Sequence, residues 1–217
     1  MDEAMSAAKH NLRMSITGTQ EQSDAVFGGV TDYDWFPWGV PGRAESGYGC
    51  SLRDELIPEK DYPELEQRVA IFHTGHTRAS TDINAAWPKK LATKAGHALH
   101  QRELELAYRY REGLRERAWE AAIAATEEYR QVRIRLCPEY MIGASAILYS
   151  ASRHGGSAFP LGAGCGGGVL VLCLEPGVLR RVRADLRELP CVPSEIPFRI
   201  LNTGHSLDNL PRHGYRR

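Results

Sequence analysis

Leu161-Gly162-Ala163-Gly164-Cys165-Gly166-Gly167-Gly168-Val169-Leu170-Val171-Leu172-Cys173-Leu174 joins a glycine-dense loop to the strongest strand signal in the chain. Val169 to Leu174 is apolar at every position, so it reads as a central strand covered on both faces. The glycines before it permit positive φ and leave backbone N–H groups unshielded. Such a loop can cradle an anion or let another backbone approach closely. A tight connection between two strands, with no ligand, is the other reading of the same residues. No Gly-Lys-Ser/Thr follows, which excludes the P-loop pattern. The loop leads into a strand rather than a helix, which excludes a dinucleotide fingerprint.

Upstream of the loop, a strand is expected at about 158–161. Pro138 suits the first turn of a helix that runs through Met141, Ala144, Ile147 and Leu148 to Gly155-Gly156. An earlier helix carries Trp119, Ala122, Ile123 and Thr126 on one stripe, with Arg117, Glu120, Glu127 and Glu128 elsewhere. Val69, Ile71 and Phe72 mark a strand ending at Thr74-Gly75. Downstream, Glu175-Pro176 opens a helix through Val178, Val182 and Leu186, and a closing strand is expected over 197–201. Nearer the N-terminus, helices are expected over 2–13 and 20–27 and a strand over 30–36. Residues 37–66 read as a loop-rich connection, with a domain boundary near Pro58 to Pro63. Strands and helices in this order predict an α+β fold, a sheet packed by helices on one face.

The 217 residues include 42% hydrophobic and 25% charged side chains, enough apolar material for a buried core. Lysine plus arginine and aspartate plus glutamate number 27 each, which removes any whole-chain electrostatic case for nucleic acid or an anionic membrane. The tail 212–217 is basic but short, as a solvated terminus would be. Cys50, Cys137, Cys165, Cys173 and Cys191 form no C-x-x-C pair and are odd in number, so neither a zinc knuckle nor a disulfide framework is indicated. With no signal-like N-terminus and no apolar run of about 20 residues, the expected location is cytoplasmic.

Segments of the chain resemble motifs of the GHMP-type small-molecule kinases, in that family's order. The stretch 161–170 resembles the family's third motif, a Gly-Ala-Gly-x-Gly-Gly loop entering an apolar strand. Gly18-Thr19-Gln20-Glu21-Gln22, before Gly28-Gly29, is similar to its Gly-x-Gln-Asp-Gln stretch. Thr74-Gly75-His76-Thr77-Arg78-Ala79-Ser80 resembles the Thr-Gly-x-Ser-Arg-x-Ala segment of heptose-phosphate kinases and related sugar kinases. Pro197-Phe198-Arg199-Ile200, followed by Gly204, resembles their closing strand. The resemblance implies a ferredoxin-like C-terminal domain over 59–210, preceded by a remnant of the N-terminal domain over 1–58 and followed by the tail 211–217. It also implies ATP and Mg2+ as cofactors, a sugar or sugar phosphate as substrate, and catalysis by positioning and charge neutralisation. Carried over residue by residue, it makes Glu21 the catalytic carboxylate, puts Gly162, Ala163, Gly164, Gly166 and Gly167 beside the phosphates, and gives Arg78 and Thr74 to the substrate.

The sequence departs from the family twice. Glutamate stands at position 21 where the family has aspartate, one methylene longer at a position where about an ångström costs about a hundredfold in rate. The family's Pro-x-x-x-Gly-Leu-Ser-Ser-Ser phosphate loop is absent. It is expected to precede residue 1, with a separate N-terminal half-kinase polypeptide as one possible source. The alternative from another class is a non-catalytic ligand-binding or regulatory module that keeps the fold.

Each candidate also has a plainer reading. Glu21 suits the first turn of a helix regardless of chemistry. Arg78 has the guanidinium geometry for a bidentate phosphate and equally the character of a solvated arginine. His73/His76 and His97/His100 share H-x-x-H spacing but lack a third ligand, so surface or turn histidines are the default and no metal site is expected. Trp35, Phe36 and Trp38 could stack on a base, but a partly buried strand is the commoner use of such a cluster.

Overall fold

The computed structural model describes residues 28–36, 50–76, 89–162 and 164–202. The helices expected over 2–13 and 20–27 lie outside them. The chain divides into two compact units, one made from Met1–Glu59 with Ile200–Arg217 and the other from Lys60–Arg199.

In the first unit, β1 (Val30–Phe36) pairs antiparallel with β2 (Cys50–Ile57), Thr31 opposite Glu55 and Phe36 opposite Cys50, with an irregularity between Val30 and Thr31. Gly28 and Gly29 enter β1 at φ of 65° and 78°, and the Gly29 N–H donates to the Leu201 carbonyl at 2.6 Å. The strand expected over 30–36 is present. The loop expected over 37–66 is not a loop throughout, because it contains β2, a 3-10 turn at Glu59–Asp61 and α1 (Tyr62–Arg68). Pro63 in the first turn of α1, read as a loop signal, instead starts the helix, where its missing N–H costs nothing.

The second unit begins with α1 and continues through β3 (Val69–His73), α2 (Lys94–Arg115), α3 (Trp119–Leu136), a 3-10 turn (Pro138–Met141), α4 (Ser145–Arg153), β4 (Gly156–Pro160), β5 (Gly168–Cys173), α5 (Pro176–Arg187) and β6 (Ser194–Ile196). The sheet order is β4-β5-β3-β6, with every neighbouring pair antiparallel. That is the split β-α-β-β-α-β arrangement of a ferredoxin-like sheet, with β5 inserted between β3 and β4. Val169 lies opposite both Phe72 and Pro160, and Val171 opposite Ala70 and Ala158.

This register gives each face of the sheet its own cover. Val169, Val171, Cys173, Ala70, Phe72 and Ala158 share one buried cluster with Ile147 and Ala151 of α4 and Val178, Leu179, Val182 and Leu186 of α5. Each fully buried valine or leucine there is stabilised by ~1.5–3 kcal/mol relative to exposure. On the other face, Phe159 meets Tyr110 of α2 edge-on at 6.0 Å, and the Ser157 hydroxyl donates to Glu127 of α3 at 2.6 Å. Helices therefore pack on both faces, not one. The all-apolar run at β5 predicts that cover.

Two local expectations give way to backbone geometry. The single helix expected from Pro138 through Leu148 is split, because Ile142 (φ −53°, ψ 126°) and Gly143 (φ 76°) form a type II turn closed by the Ala144 N–H donating to Met141. The closing strand lies at Ser194–Ile196 rather than 197–201. Pro197 has no N–H with which to continue the ladder.

Candidate functional site

The loop from Leu161 to Gly167 is a wide hairpin connection between β4 and β5, closed at its base by the Leu161 N–H donating to the Gly168 carbonyl at 2.8 Å. Gly162, Gly164, Cys165, Gly166 and Gly167 all have positive φ. Only a glycine-rich sequence takes that path without accumulated strain. Ala163, expected beside the phosphates with them, lies outside the described residues.

Much of the loop's hydrogen bonding points inward. Gly164 N–H donates to Leu161 at 3.3 Å, Cys165 N–H to the Tyr140 carbonyl at 2.9 Å, and Gly167 N–H to the His76 carbonyl at 2.9 Å. Among the described residues, the N–H groups of Gly162 and Gly166 have no acceptor. Space divides the glycines as well. A Cβ on Gly162 or Gly167 would meet nothing within 4 Å, whereas one on Gly164 would lie 2.1 Å from Cδ2 of Tyr140. Gly164 is therefore required for packing, and Gly162 and Gly167 form the open side of the loop.

Thr74 lies at this loop. Its N–H donates to the Gly167 carbonyl at 3.0 Å, while Gly167 returns its own N–H to His76, so the turn after β3 and the glycine loop are laced together. The Thr74 hydroxyl accepts the His76 N–H at 3.2 Å and keeps its own proton to donate; the residue is buried. A third loop completes the constellation, since a Cβ on Gly143 would lie 2.5 Å from the His76 ring and 3.0 Å from Cβ of Thr74. Glu21 and Arg78 lie outside the described residues, as does Trp38. The backbones of Trp35 and Phe36 belong to β1.

Reading the sequence did not single out Tyr140, although it anchors the loop. Besides accepting from Cys165 and filling the space beside Gly164, it donates its hydroxyl to the Pro160 carbonyl at 2.9 Å. Burial pushes its phenol well above the ordinary range. Arg133 lies over its ring at 4.9 Å and pairs with the buried Glu103, which also meets His100 at 3.0 Å. The one available signal was Pro138, which starts the turn that carries Tyr140. The neighbouring Glu139 carboxyl is held below the usual carboxylate range by its own backbone N–H and by the Cys137 thiol. His73 accepts the Gly75 N–H at 3.1 Å. Among the described residues, no grouping of three His, Cys, Asp or Glu side chains could hold a metal ion, and no helix is long and apolar enough to cross a membrane.

The antiparallel sheet in ferredoxin-like order, with helices on both faces, makes this an α+β protein with the GHMP-kinase fold. Three solved structures illustrate the likeness. L. major mevalonate kinase, in complex with R-mevalonate, matches at TM-score 0.67 and 16% identity over 90% of this chain and 57% of its own. A sugar-kinase candidate from Campylobacter jejuni matches at TM-score 0.54 and 19% identity over 93% of this chain and 52% of its own. Streptococcus pneumoniae phosphomevalonate kinase, in complex with phosphomevalonate and AMPPNP, matches at TM-score 0.54 and 13% identity over 70% and 44%. The chain thus spans about half the length of the structures it matches, and at these identities the likeness is one of fold. No protein-family model and no curated protein matches the sequence.

Proposed function

We propose that this chain is the glycine-loop half of an ATP-dependent kinase acting on a hydroxyl of a sugar or sugar phosphate, of the type its heptose-kinase-like motifs suggest. The observation that carries the reading is the reciprocal pairing of Thr74 and His76 with Gly167. Two segments that resemble motifs of one family, far apart in sequence, are bound into one surface. A nucleotide phosphate fits the open side of that surface, where the Gly162 and Gly166 N–H groups lack acceptors among the described residues and the Gly162 and Gly167 positions are unobstructed. ATP supplies the γ-phosphoryl group, with magnesium to neutralise its oxygens. The protein's own work is positioning. Gly162 and Gly166 donate to phosphate oxygens, Thr74 fixes the loop and has a hydroxyl proton for the substrate, Arg78 pairs with a substrate phosphate, and Glu21 serves the accepting hydroxyl.

A second reading, a non-catalytic module that binds a ligand, is favoured by the inward donation of Gly164, Cys165 and Gly167, which leaves few N–H groups for phosphate. Calorimetry with Mg-ATP and a coupled ADP-release assay over a panel of sugars and sugar phosphates separate the two. With a Gly-Leu-Ser-Ser-Ser half supplied, in the same polypeptide or a separate one, the kinase reading expects turnover and micromolar ATP binding. The chain as it stands is expected to bind with a millimolar Kd, about 4 kcal/mol. Sugar-phosphate binding with neither ATP binding nor turnover in any sample would leave the module.

A further inference from the structure

Cys165 is the one side chain among the described residues at the crest of the glycine loop, a non-glycine residue at φ 61° between Gly164 and Gly166. Its side chain turns inward and is 8% exposed. There its sulfur lies 3.9 Å from that of Cys137, the residue that ends α3 and is itself 5% exposed. The two thiols share a small buried cluster with Tyr140, separate from the main core, with Met141 packed against it. Tyr140 also ties their backbones together, donating its N–H to the Cys137 carbonyl at 2.9 Å and accepting the Cys165 N–H at 2.9 Å.

We infer that Cys137 and Cys165 form a reversible oxidative modification site, a disulfide that fastens the glycine loop to the end of α3. A disulfide has a sulfur separation of about 2.05 Å, so the sulfurs have ~1.9 Å to close. The local backbone permits that movement. Cys137 is outside the helix, in an extended conformation (φ −142°, ψ 95°), and Cys165 is flanked by glycines on both sides. The remaining cysteines with described side chains are placed differently: Cys173 lies within the main core and Cys191 is exposed.

The oxidant is a hydroperoxide, small enough to reach sulfurs this enclosed. One thiol takes the terminal peroxide oxygen to become a sulfenic acid, and the peroxide leaves as alcohol or water. The second thiol attacks that sulfur, the S–S bond forms, and water departs with the displaced oxygen. Two thiols are oxidised by two electrons in total and lose two hydrogens. A dithiol reductant reverses the step. The inference holds whether or not the kinase reading does, because no ligand takes part.

The test is peroxide treatment of the full reduced chain, followed by alkylation under denaturing conditions and peptide mapping without reduction. The expected product is an intramolecular linked peptide pair containing Cys137 and Cys165, both protected from alkylation together and released together by dithiothreitol. Amide exchange across residues 161–168 should slow in the oxidised protein. Cys137→Ser and Cys165→Ser should each remove the linked pair; if either variant fails to fold, the wild-type map decides alone. Complete oxidation of Cys191 while Cys137 and Cys165 stay fully alkylatable would overturn the inference, and so would independent oxidation of the two to sulfinic acids.

Discussion

Replacing Gly164 with alanine places a methyl 2.1 Å from Cδ2 and 2.5 Å from Cε2 of Tyr140, and 3.0 Å from its carbonyl oxygen. The ring cannot retreat easily, since its hydroxyl is bonded to Pro160 and Arg133 lies over its face. Two penalties add. A left-handed conformation costs a non-glycine residue ~1–2 kcal/mol, and overpacking a filled site costs ~1–3 kcal/mol more. Gly164→Ala should therefore destabilise by ~2–5 kcal/mol. Gly162→Ala, at φ 60° with open space around its Cβ, incurs only the first penalty, ~1–2 kcal/mol. With urea slopes of ~1–3 kcal/mol/M, the two variants should unfold with midpoints separated by ~1 M. Tyr140→Ala in the Gly164→Ala background should remove most of the second penalty, a coupling that a double-mutant cycle reads directly. Equal midpoints for the two glycine variants, or no coupling to Tyr140, would refute the packing argument.

Gly113→Ala should also destabilise although it lies inside α2, because the new methyl would meet the Ala122 backbone nitrogen at 2.8 Å. An overpacking cost of ~1–3 kcal/mol outweighs a propensity gain of about 1 kcal/mol, and thermal melts check the sign. Glu103→Leu should cost about 3 kcal/mol by leaving Arg133 nearly buried without its carboxylate, and Glu103→Leu with Arg133→Met should recover most of that in urea titrations. Alkali should destabilise the fold. Burial pushes the Cys173 thiol from 9.0 up to about 12 and raises the Tyr140 phenol above 10.0, so the folded chain holds protons that the unfolded chain has lost. The Cys173 contribution is intact below about pH 9 and the Tyr140 contribution below about pH 10, and each is lost progressively as pH rises from there towards the folded-state value. Urea midpoints above pH 9 should decline less steeply in Cys173→Ala.

The all-apolar run at Val169 was enough to place a central strand with cover on both sides, because alternation fails only where neither face meets water. The helix at 119 was legible for the converse reason, an apolar stripe at helical spacing. Harder to read were features set by tertiary partners. β2 carries Arg53, Asp54 and Glu55 and pairs with β1, so its strand character depends on a neighbour rather than on its own pattern. Pro138 signalled a helix start correctly, but the type II turn at Ile142-Gly143 interrupts the helix, and the glycine there also leaves room for the close approach of His76 and Thr74. At the site, glycine content marked the loop. It could not show which glycines face Tyr140 and which face open space, because both need the same residue type for different reasons.

That division bears on what the loop can do. Three of its N–H groups are used to brace it against Leu161, Tyr140 and His76, which fixes its shape before any ligand arrives. Pre-organisation lowers the ordering cost of binding, but each braced N–H is also one fewer donor for an anion. With Gly162 and Gly166 as the remaining donors among the described residues, and a net contribution of about 1.5–3 kcal/mol for each hydrogen bond to a charged group, those two would supply ~3–6 kcal/mol to a bound anion before association costs are subtracted. Micromolar affinity requires about 8 kcal/mol after them. A helix N-terminus facing the loop is the kind of group that closes such a gap, since it brings several aligned N–H groups and a dipole to one anion. Under the kinase reading proposed above, the loop would therefore serve as a shaped wall of a phosphate site rather than the whole of one.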